Sequence, residues 1–581
     1  MPEMFFSVPP AFVMLFGALI LPLVPKNLRS AGFIVFPAAT LVLLWSLPDG
    51  LTIRTDFMRY TLILCKVDSL SRIFGAIFAI VAVAGGLYAY HIKETGQQVA
   101  ALFYGGSAIG IAFAGDYLTL LVYWELMAVS SVYLVWARRT REAETAGMRY
   151  LFVHIFGGSL LLAGILLHTA ESGSTIIARL PSGASVSSWL ILTGVAINAA
   201  IPPLHAWLVD AYPKATVTGA VFMSAFTTKS AVYVLARVFP GWEILIVFGV
   251  IMALYGVVYA VLANDIREIL AYHIISQVGY MVAGVGIGTE MALNGTTAHA
   301  FSHILYKALL FMGAGVVLQT TGKSKLTELG GLAAAMPLTL ALYMVGAFSI
   351  SGFPLFNGFI SKSMVVSAAG EAHYANAMLL LNLAAVGTFL HTGLKLPYFT
   401  WFAENRGLKP EKPPITMLIG MGIVAFLCTM FGVAPKLLYD HLPYPVSYVP
   451  YTIPHLVETT YLLIFTFIGF WVLRSKLAGE PTIALDADWF YRRPARLFKK
   501  YLVASVANVF DRSDQLSLSF VAQLSKFVSN PTGHIQHLLL SSKQKEKLNK
   551  YDPEQSRPLM QFLIGVVLMS FVFVLLFTLI R

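Results

Sequence analysis

The chain has 581 residues, of which 57% are apolar and only 12% charged, with a net charge of +11 and a mean hydropathy of +0.73. Soluble domains carry about 25% charged residues, so this composition excludes an ordinary soluble enzyme and predicts an all-α polytopic membrane protein. The excess of 40 Lys+Arg over 29 Asp+Glu fits basic loops on anionic lipid rather than nucleic acid. Cys65 and Cys428 are the only cysteines, which excludes a disulfide framework or a cysteine-ligated iron–sulfur cluster within the chain. No Walker loop or dinucleotide fingerprint occurs; no cofactor and no metal are expected.

Apolar runs of roughly 18 or more residues, each long enough for a hydrocarbon core of about 30 Å, predict spans over 5–24, 31–48, 69–91, 98–114, 117–137, 147–168, 187–210, 215–237, 241–263, 267–288, 297–319, 333–369, 375–399, 413–433, 455–473 and 559–580. The opening "MPEMFFSVPPAFVMLFG" lacks a basic n-region and a small-residue cleavage site, and reads as a retained first span. Loops after spans 1, 5, 11 and 13 carry Lys26 and Arg29; Arg138, Arg139 and Arg141; Lys323 and Lys325; Arg406, Lys409 and Lys412. Arg54, Arg59 and Lys66 after span 2 run against that trend. The positive-inside rule puts both termini outside a cell inner membrane and segment 474–558 on the cytoplasmic face. In that segment Phe498, Leu502, Val506 and Phe510, then Leu516, Phe520, Leu524 and Phe527, recur with mostly helical spacing. Arg492, Arg493, Arg496, Lys499 and Lys500 cluster at its start. An amphipathic helix from Pro494 to Asn530, roughly 50 Å long at 1.5 Å per residue, is predicted to lie along a membrane or partner.

Several ionisable residues fall inside spans. Glu125 sits in "LTLLVYWELMAVSSVYLVW" and Lys229 in "SAFTTKSAVYVLAR". His299, His303 and Lys307 in "HAFSHILYKALLF" share one helical face by their i, i+4, i+8 spacing. Lys362 follows "SISGFPLFNGFISKSM", and His391 and Lys395 share a face in span 13. A charge at mid-bilayer costs at least about 2.5–3.5 kcal/mol, so such a set points to function. Burial lowers a lysine's proton affinity and a nearby carboxylate restores it, and histidine titrates near neutrality; such a row passes protons in modest steps. A structural ion pair between Glu125 and Lys229 is the simpler alternative for those two, and His391 reads as structural.

Two spans are broken. "GVAINAAIPPLHAWLVDAYPKATVTG" meets Pro202 and Pro203, then offers His205 and Asp210, and span 12 breaks near Pro354. Prolines remove backbone donors, tolerable at membrane depth only where protein covers the break or a wet cavity adjoins it. Transporters with inverted repeats place such breaks in corresponding positions of their halves. Setting spans 4–8 against 9–13 matches span 7 with 12, Lys229 with Lys395, and Asn198 with the neighbourhood of Lys362.

The stretches "WELMAVSSVYLV", "PPLHAWLVDAYPKATVTG", "DIREILAYHIISQVGYM", "HAFSHILYKALLFMGAGVV" and "SGFPLFNGFISK" together resemble the antiporter-like membrane subunits of complex I, Mrp-type Na⁺/H⁺ antiporters and membrane-bound hydrogenases. "DADWFYRR", with its amphipathic helix and final span, looks most like the D-type member of Mrp complexes. The resemblance implies about 14 core transmembrane helices with two inverted five-helix repeats, a lateral amphipathic helix and a C-terminal anchoring span. The implied divisions are helices 1–3 over 1–97, first repeat 98–240, second repeat 241–400, helices 14–15 over 401–473, lateral segment 474–558 and anchor 559–581. It further implies proton translocation along Glu125, Lys229, His299, His303, Lys307, Lys362 and Lys395. Asn198, Pro202, Pro203, His205, Asp210 and Pro354 would line the breaks. Implied partners are other membrane subunits, lipid, H⁺ and Na⁺, with redox chemistry in partner subunits. An antiporter without redox partners and a non-transporting scaffold are the alternatives. One position departs from the pattern: the family's usual lysine seven residues before the histidine of "PLH" is Asn198, an amide that cannot exchange a proton at physiological pH.

Overall fold

The computed structural model describes residues 8–183, 185–480, 486–487, 489–539 and 560–579. A helix or a broken helix pair lies on every predicted span. In chain order these are α1 (Pro10–Ile20), α2 (Arg29–Ser46), α3 (Ser69–Tyr88), α4 (Thr95–Phe113), α5 (Tyr117–Trp136), α6 (Arg141–Ser172), α7 (Val186–Asn198) and α8 (Ala206–Ala211). There follow α9 (Val217–Ala225), α10 (Thr227–Val238), α11 (Ile244–Leu262), α12 (Ile266–Ile287), α13 (Glu290–Thr321), α14 (Pro337–Ser351), α15 (Asn357–Glu371) and α16 (Ala375–Thr388). The last are α17 (Ile415–Val433), short α18 (Lys436–Tyr439), α19 (Ile453–Leu473), α20 (Trp489–Phe498), α21 (Ala504–Ser529), α22 (Pro531–Leu539) and α23 (Met560–Leu579).

Local chemistry sets the helix ends. Asp116 accepts from the Leu118 and Thr119 amides at the start of α5, and Asp265 accepts from Arg267 and Glu268 at the start of α12, satisfying amides that lack intrahelical partners. The break after α7 follows from two prolines without amide donors; the Ile197 carbonyl beside it accepts from Trp207 Nε1 at 2.9 Å. Between α14 and α15, Gly352 takes φ +76° just before Pro354. Two further irregularities escape sequence reading. Span 8 is interrupted at Phe226, between α9 and α10, and α16 runs into π-helical turns at Phe389–Lys395 and Tyr398–Phe402.

Hydrogen bonds sort the loops onto two faces. After odd-numbered spans, Arg29 bonds Thr95 at 2.9 Å, the Ile266 amide bonds Ser324 at 2.8 Å and the Ala333 amide bonds Trp401 at 3.1 Å. After even-numbered spans, Arg237 holds Asp68 at 2.5 and 2.8 Å, and the Gly115 amide bonds Ile63 at 3.0 Å. The chain therefore alternates sides, as a multi-pass membrane protein must. One departure from an all-helical chain is an antiparallel hairpin, β1 (Thr52–Phe57) with β2 (Tyr60–Lys66). Hydropathy windows pass over it because β1 is mostly polar and the apolar run of β2 is short, and Asp116 anchors it by accepting from the Ile63 amide at 2.6 Å. Arg54, Arg59 and Lys66, the charges that run against the trend, are on this hairpin.

Within the first unit, residues 1–487, helices α12 and α13 are buried on nearly all sides. Arg267 at the head of α12 is 1% exposed and donates from Nη2 to the carbonyls of Tyr212, Ala215 and Thr216 at 3.0, 2.9 and 3.2 Å. This guanidinium ties the end of broken span 7 to α12. Arg267→Met is expected to destabilise the detergent-purified chain by about 1.5–3 kcal/mol, the contribution of a charge-assisted hydrogen bond, read as a lowered thermal unfolding midpoint.

Residues 488–581 form a second unit. Here α20, a π turn at Lys499–Val503 and α21 run without interruption from Trp489 to Ser529. The predicted amphipathic helix thus begins before Pro494, which lies inside α20. Its apolar residues, including Phe498, Leu502, Phe520 and Leu524, are exposed. Residues 540–558 of the lateral segment lie outside the described residues.

Candidate functional site

The polar interior centres on α13. His299, His303 and Lys307 are all fully buried and run along one face, as their spacing predicts. His299 Nδ1 lies 3.2 Å from Ser361 Oγ, and its ring is 6.3 Å from that of His303. Lys307 Nζ lies 3.3 Å from His273 Nδ1 on α12. His273 Nε2 meets Thr388 Oγ1 at 3.1 Å, and its ring packs edge-on against His391 at 4.7 Å. Thr392 Oγ1 bridges these imidazoles, 3.3 Å from His273 Nδ1 and 2.8 Å from His391 Nδ1. His273 was missed by sequence reading, although it stands inside the quoted stretch "AYHIIS"; one imidazole in an apolar run carries no periodic signal. His391, read as structural, belongs to this cluster. Both ring nitrogens of His303 are buried without a protein hydrogen-bond partner.

Lys362 lies on α15, beyond the second break. Its Nζ is 3.4 Å from the Ser351 carbonyl and 6.0 Å from the centre of the Tyr280 ring. A Cβ at Gly352 would stand 3.3 Å from the ammonium, so the glycine leaves room for it. Unlike Lys229 and Lys307, both 0% exposed, Lys362 keeps 7% exposure. It lines a cavity of about 100 Å³ with Ser351, Asn382, His455 and Glu458. Lys395 does not mirror Lys229 in detail: it donates to the Val261 and Ala263 carbonyls at the end of α11, a favourable place for a cation.

The first half is built differently. Lys229, beside the interruption at Phe226, donates to the Ser224 carbonyl at 2.6 Å and to Thr228 Oγ1 at 3.1 Å. The ion pair between Glu125 and Lys229, the simpler alternative for these two, does not form: among the described residues, the partners of Lys229 are these oxygens. Glu125 points instead at α6, where a Cβ added to Gly158 would overlap its Oε1. Hydroxyls replace imidazoles nearby. Tyr104 OH meets Thr227 Oγ1 at 2.6 Å, Thr227 meets Tyr150 OH at 3.4 Å, and Tyr150 meets Ser131 Oγ at 2.7 Å. His154 stacks on Tyr150 at 4.0 Å. Asn198 is fully buried at the end of α7, and neither amide atom has a protein partner.

Two polar residues past the first break make strong contacts. Asp210 takes a bidentate bond from Arg149, at 2.5 and 2.8 Å, which tethers the end of broken span 7 to α6. His205 is fully buried, and its Nε2 lies 3.1 and 3.3 Å from the carboxylate oxygens of Asp486. Tyr272 donates to the same carboxylate at 2.7 Å, as does Tyr255. Burial alone would push Asp486 up, but the hydrogen bonds and charge of His205, with the two tyrosines, outweigh it and hold the carboxyl at about 2. Its contribution to holding this stretch is complete above the ordinary carboxylate range near 4 and is lost only as pH falls through about 2.

Residues 114–389, which hold most of these groups but not Tyr104, Lys395, His455, Glu458, Asp486 or the outer end of span 13, match the family profile described as NADH:quinone oxidoreductase/Mrp antiporter, TM. Over that stretch, a little under half of its length, the chain is similar to this family of antiporter-like membrane proteins. Its relatives include the A-type subunit of a Na⁺/H⁺ antiporter from Alkalihalophilus pseudofirmus, 30% identical over 424 residues, covering 64% of this chain and 52% of that protein. Hydrogenase-4 component B of Escherichia coli is 29% identical over 427 residues, covering 64% of this chain and 63% of that protein. The antiporter-like chain thus spans about half to two-thirds of these relatives' lengths. The structure of the Mrp complex from Dietzia sp. DQ12-45-1b holds a chain with TM-score 0.67 and 20% identity, covering 80% of this chain and 98% of that one. The relatives bear A-type and B-type names, which leaves the D-type likeness of "DADWFYRR" without support from them.

Proposed function

We propose that this chain moves protons across a cell inner membrane as one subunit of a multisubunit complex, with both termini outside and segment 474–558 cytoplasmic. The observation that carries this reading is the buried row His299, His303, Lys307, His273 and His391, with two lysines at helix irregularities, Lys229 and Lys362, beside its His299 and His303 end. Isolated charges at such depth are costly; a row of groups that each hold and release a proton gives them a use. Residues 98–240 and 241–400 are read as the two inverted repeats, each with one proline-broken helix. Lys362, with its cavity, serves as the outward exit. Buried polar atoms without protein partners, at His303 and Asn198, suit bridging waters.

Partner subunits fit the exposed surface. Glu125 is half-buried on α5 between Val122 and Val129, which are 67% and 57% exposed. A carboxylate on an outward apolar face calls for a covering neighbour. Energy comes from redox chemistry in partner subunits, or from a Na⁺ gradient as the name of the antiporter relative suggests. The apolar face of α20–α21 would hold neighbours together through Phe498, Leu502, Phe520 and Leu524.

The test is Lys307→Met in membrane vesicles containing the assembled complex, with the pH gradient read by fluorescence quenching. Loss of at least about 100-fold in transport rate is expected, the scale of a lost acid–base group. Undiminished transport at equal complex content would overturn the reading.

A further inference from the structure

We propose that Asp486 is the positioning carboxylate of a proton-loading site at His205, placed at the cytoplasmic mouth of the first half-channel. This rests on the translocation reading above. Three elements converge on one carboxylate: His205 precedes α8 at the break of span 7, Tyr255 stands on α11, and Tyr272 on α12. The carboxylate therefore sits at the seam between the two five-helix units, delivered by the stretch that follows α19. Its side chain is 9% exposed and that of His205 is 0% exposed, so the acid faces the surface and the imidazole the interior.

The ring's two nitrogens are in different situations. Nε2 is held by Asp486, whereas Nδ1 is buried without a protein partner. A carboxylate that accepts from one imidazole nitrogen fixes the tautomer and leaves the other nitrogen as the working atom. The proton is thus taken up at Nδ1 by way of a water bridging that buried atom to the cytoplasmic side, giving an imidazolium balanced by Asp486, and is released from Nδ1 toward the interior, restoring the neutral ring. Hydrogen bonds from Tyr255 and Tyr272 favour the ionised form of Asp486, so the carboxylate positions the ring and the ring carries the proton. The first half-channel needs such a group, because Asn198 on the same broken helix cannot exchange a proton.

The groups around the pair are Tyr255 and Tyr259 of α11, stacked at 4.5 Å, Tyr272 and Glu268 of α12, and Lys214 beside Glu268. Asp210 of α8 is engaged by Arg149. A carboxylate in contact with Nε2 balances the charge of the protonated imidazole. Its removal makes loading harder at high pH, so the alkaline limb of the rate must move toward acid.

The experiment measures transport against cytoplasmic-side pH in vesicles holding the whole complex. Asp486→Asn should move the alkaline midpoint down by about one unit or more, Asp486→Glu should keep the wild-type midpoint, and His205→Gln should remove the limb. An unshifted midpoint in Asp486→Asn at equal complex content, or an equal loss at every pH, makes Asp486 a mere tether and overturns the proposal. Should Asp486→Asn fail to assemble, a retained limb in His205→Gln overturns it equally. Lys362→Ala, run alongside, separates the two readings. If it abolishes transport while Asp486→Asn leaves the midpoint unmoved, only the loading site is wrong; if transport survives, the translocation path itself is wrong.

Discussion

Lys362→Ala is expected to lower transport by at least about 100-fold, the scale of a lost acid–base group, whereas Asn198→Ala should cost only about two- to tenfold, the equivalent of one hydrogen bond of about 0.5–1.5 kcal/mol. The two positions correspond if the halves are inverted repeats, yet they differ in chemistry. Lys362 holds a proton and lines a cavity with His455 and Glu458. Asn198 can only orient water or a neighbouring side chain, and its amide atoms have no protein partner. Asn198→Lys should be poorly tolerated, since the expected counter-charge, Glu125, points toward Gly158. Transport by matched, fully assembled complexes is the measurement; equal damage from Asn198→Ala and Lys362→Ala would show that the half-channels are equivalent.

Glu125→Gln should impair pumping by about tenfold or more while leaving insertion and assembly intact, because it removes a charge and keeps the volume. Gly158→Ala should reproduce that defect without touching a titratable group. The added methyl group would overlap the Glu125 carboxylate, which must swing toward the outer face marked by Val122 and Val129. Pumping, complex content and proton leak, measured on the same vesicles, separate loss of coupling from loss of folding. Normal pumping in Gly158→Ala, with Glu125→Gln defective, would show that the carboxylate acts equally well from another rotamer.

The broken helices are legible in the sequence, because Pro202, Pro203 and Pro354 abolish amide donors wherever they stand. The interruption at Phe226 and the π turns at Phe389–Lys395 are not. No residue at Phe226 forbids an α-helix, and Pro397, which disturbs the backbone at the end of the first π turn, does not by itself mark where that turn begins at Phe389. The hairpin at 52–66 escapes for another reason, since the polar β1 dilutes the short apolar run of β2 in a hydropathy window.

By itself, the sequence determined that the chain crosses a membrane many times, where its helices fall, and that His299, His303 and Lys307 share a face. Those properties depend on apolar run length and on the 3.6-residue period, both local. Only the tertiary structure decided partners. It set Glu125 against Gly158 and away from Lys229, brought His273 and His391 to Lys307, tied Asp210 to Arg149, and delivered Asp486 to His205 across 281 residues. Pairing of this kind depends on which helices pack together, and in a chain rich in buried polar groups many pairings satisfy the same composition; close packing selects one.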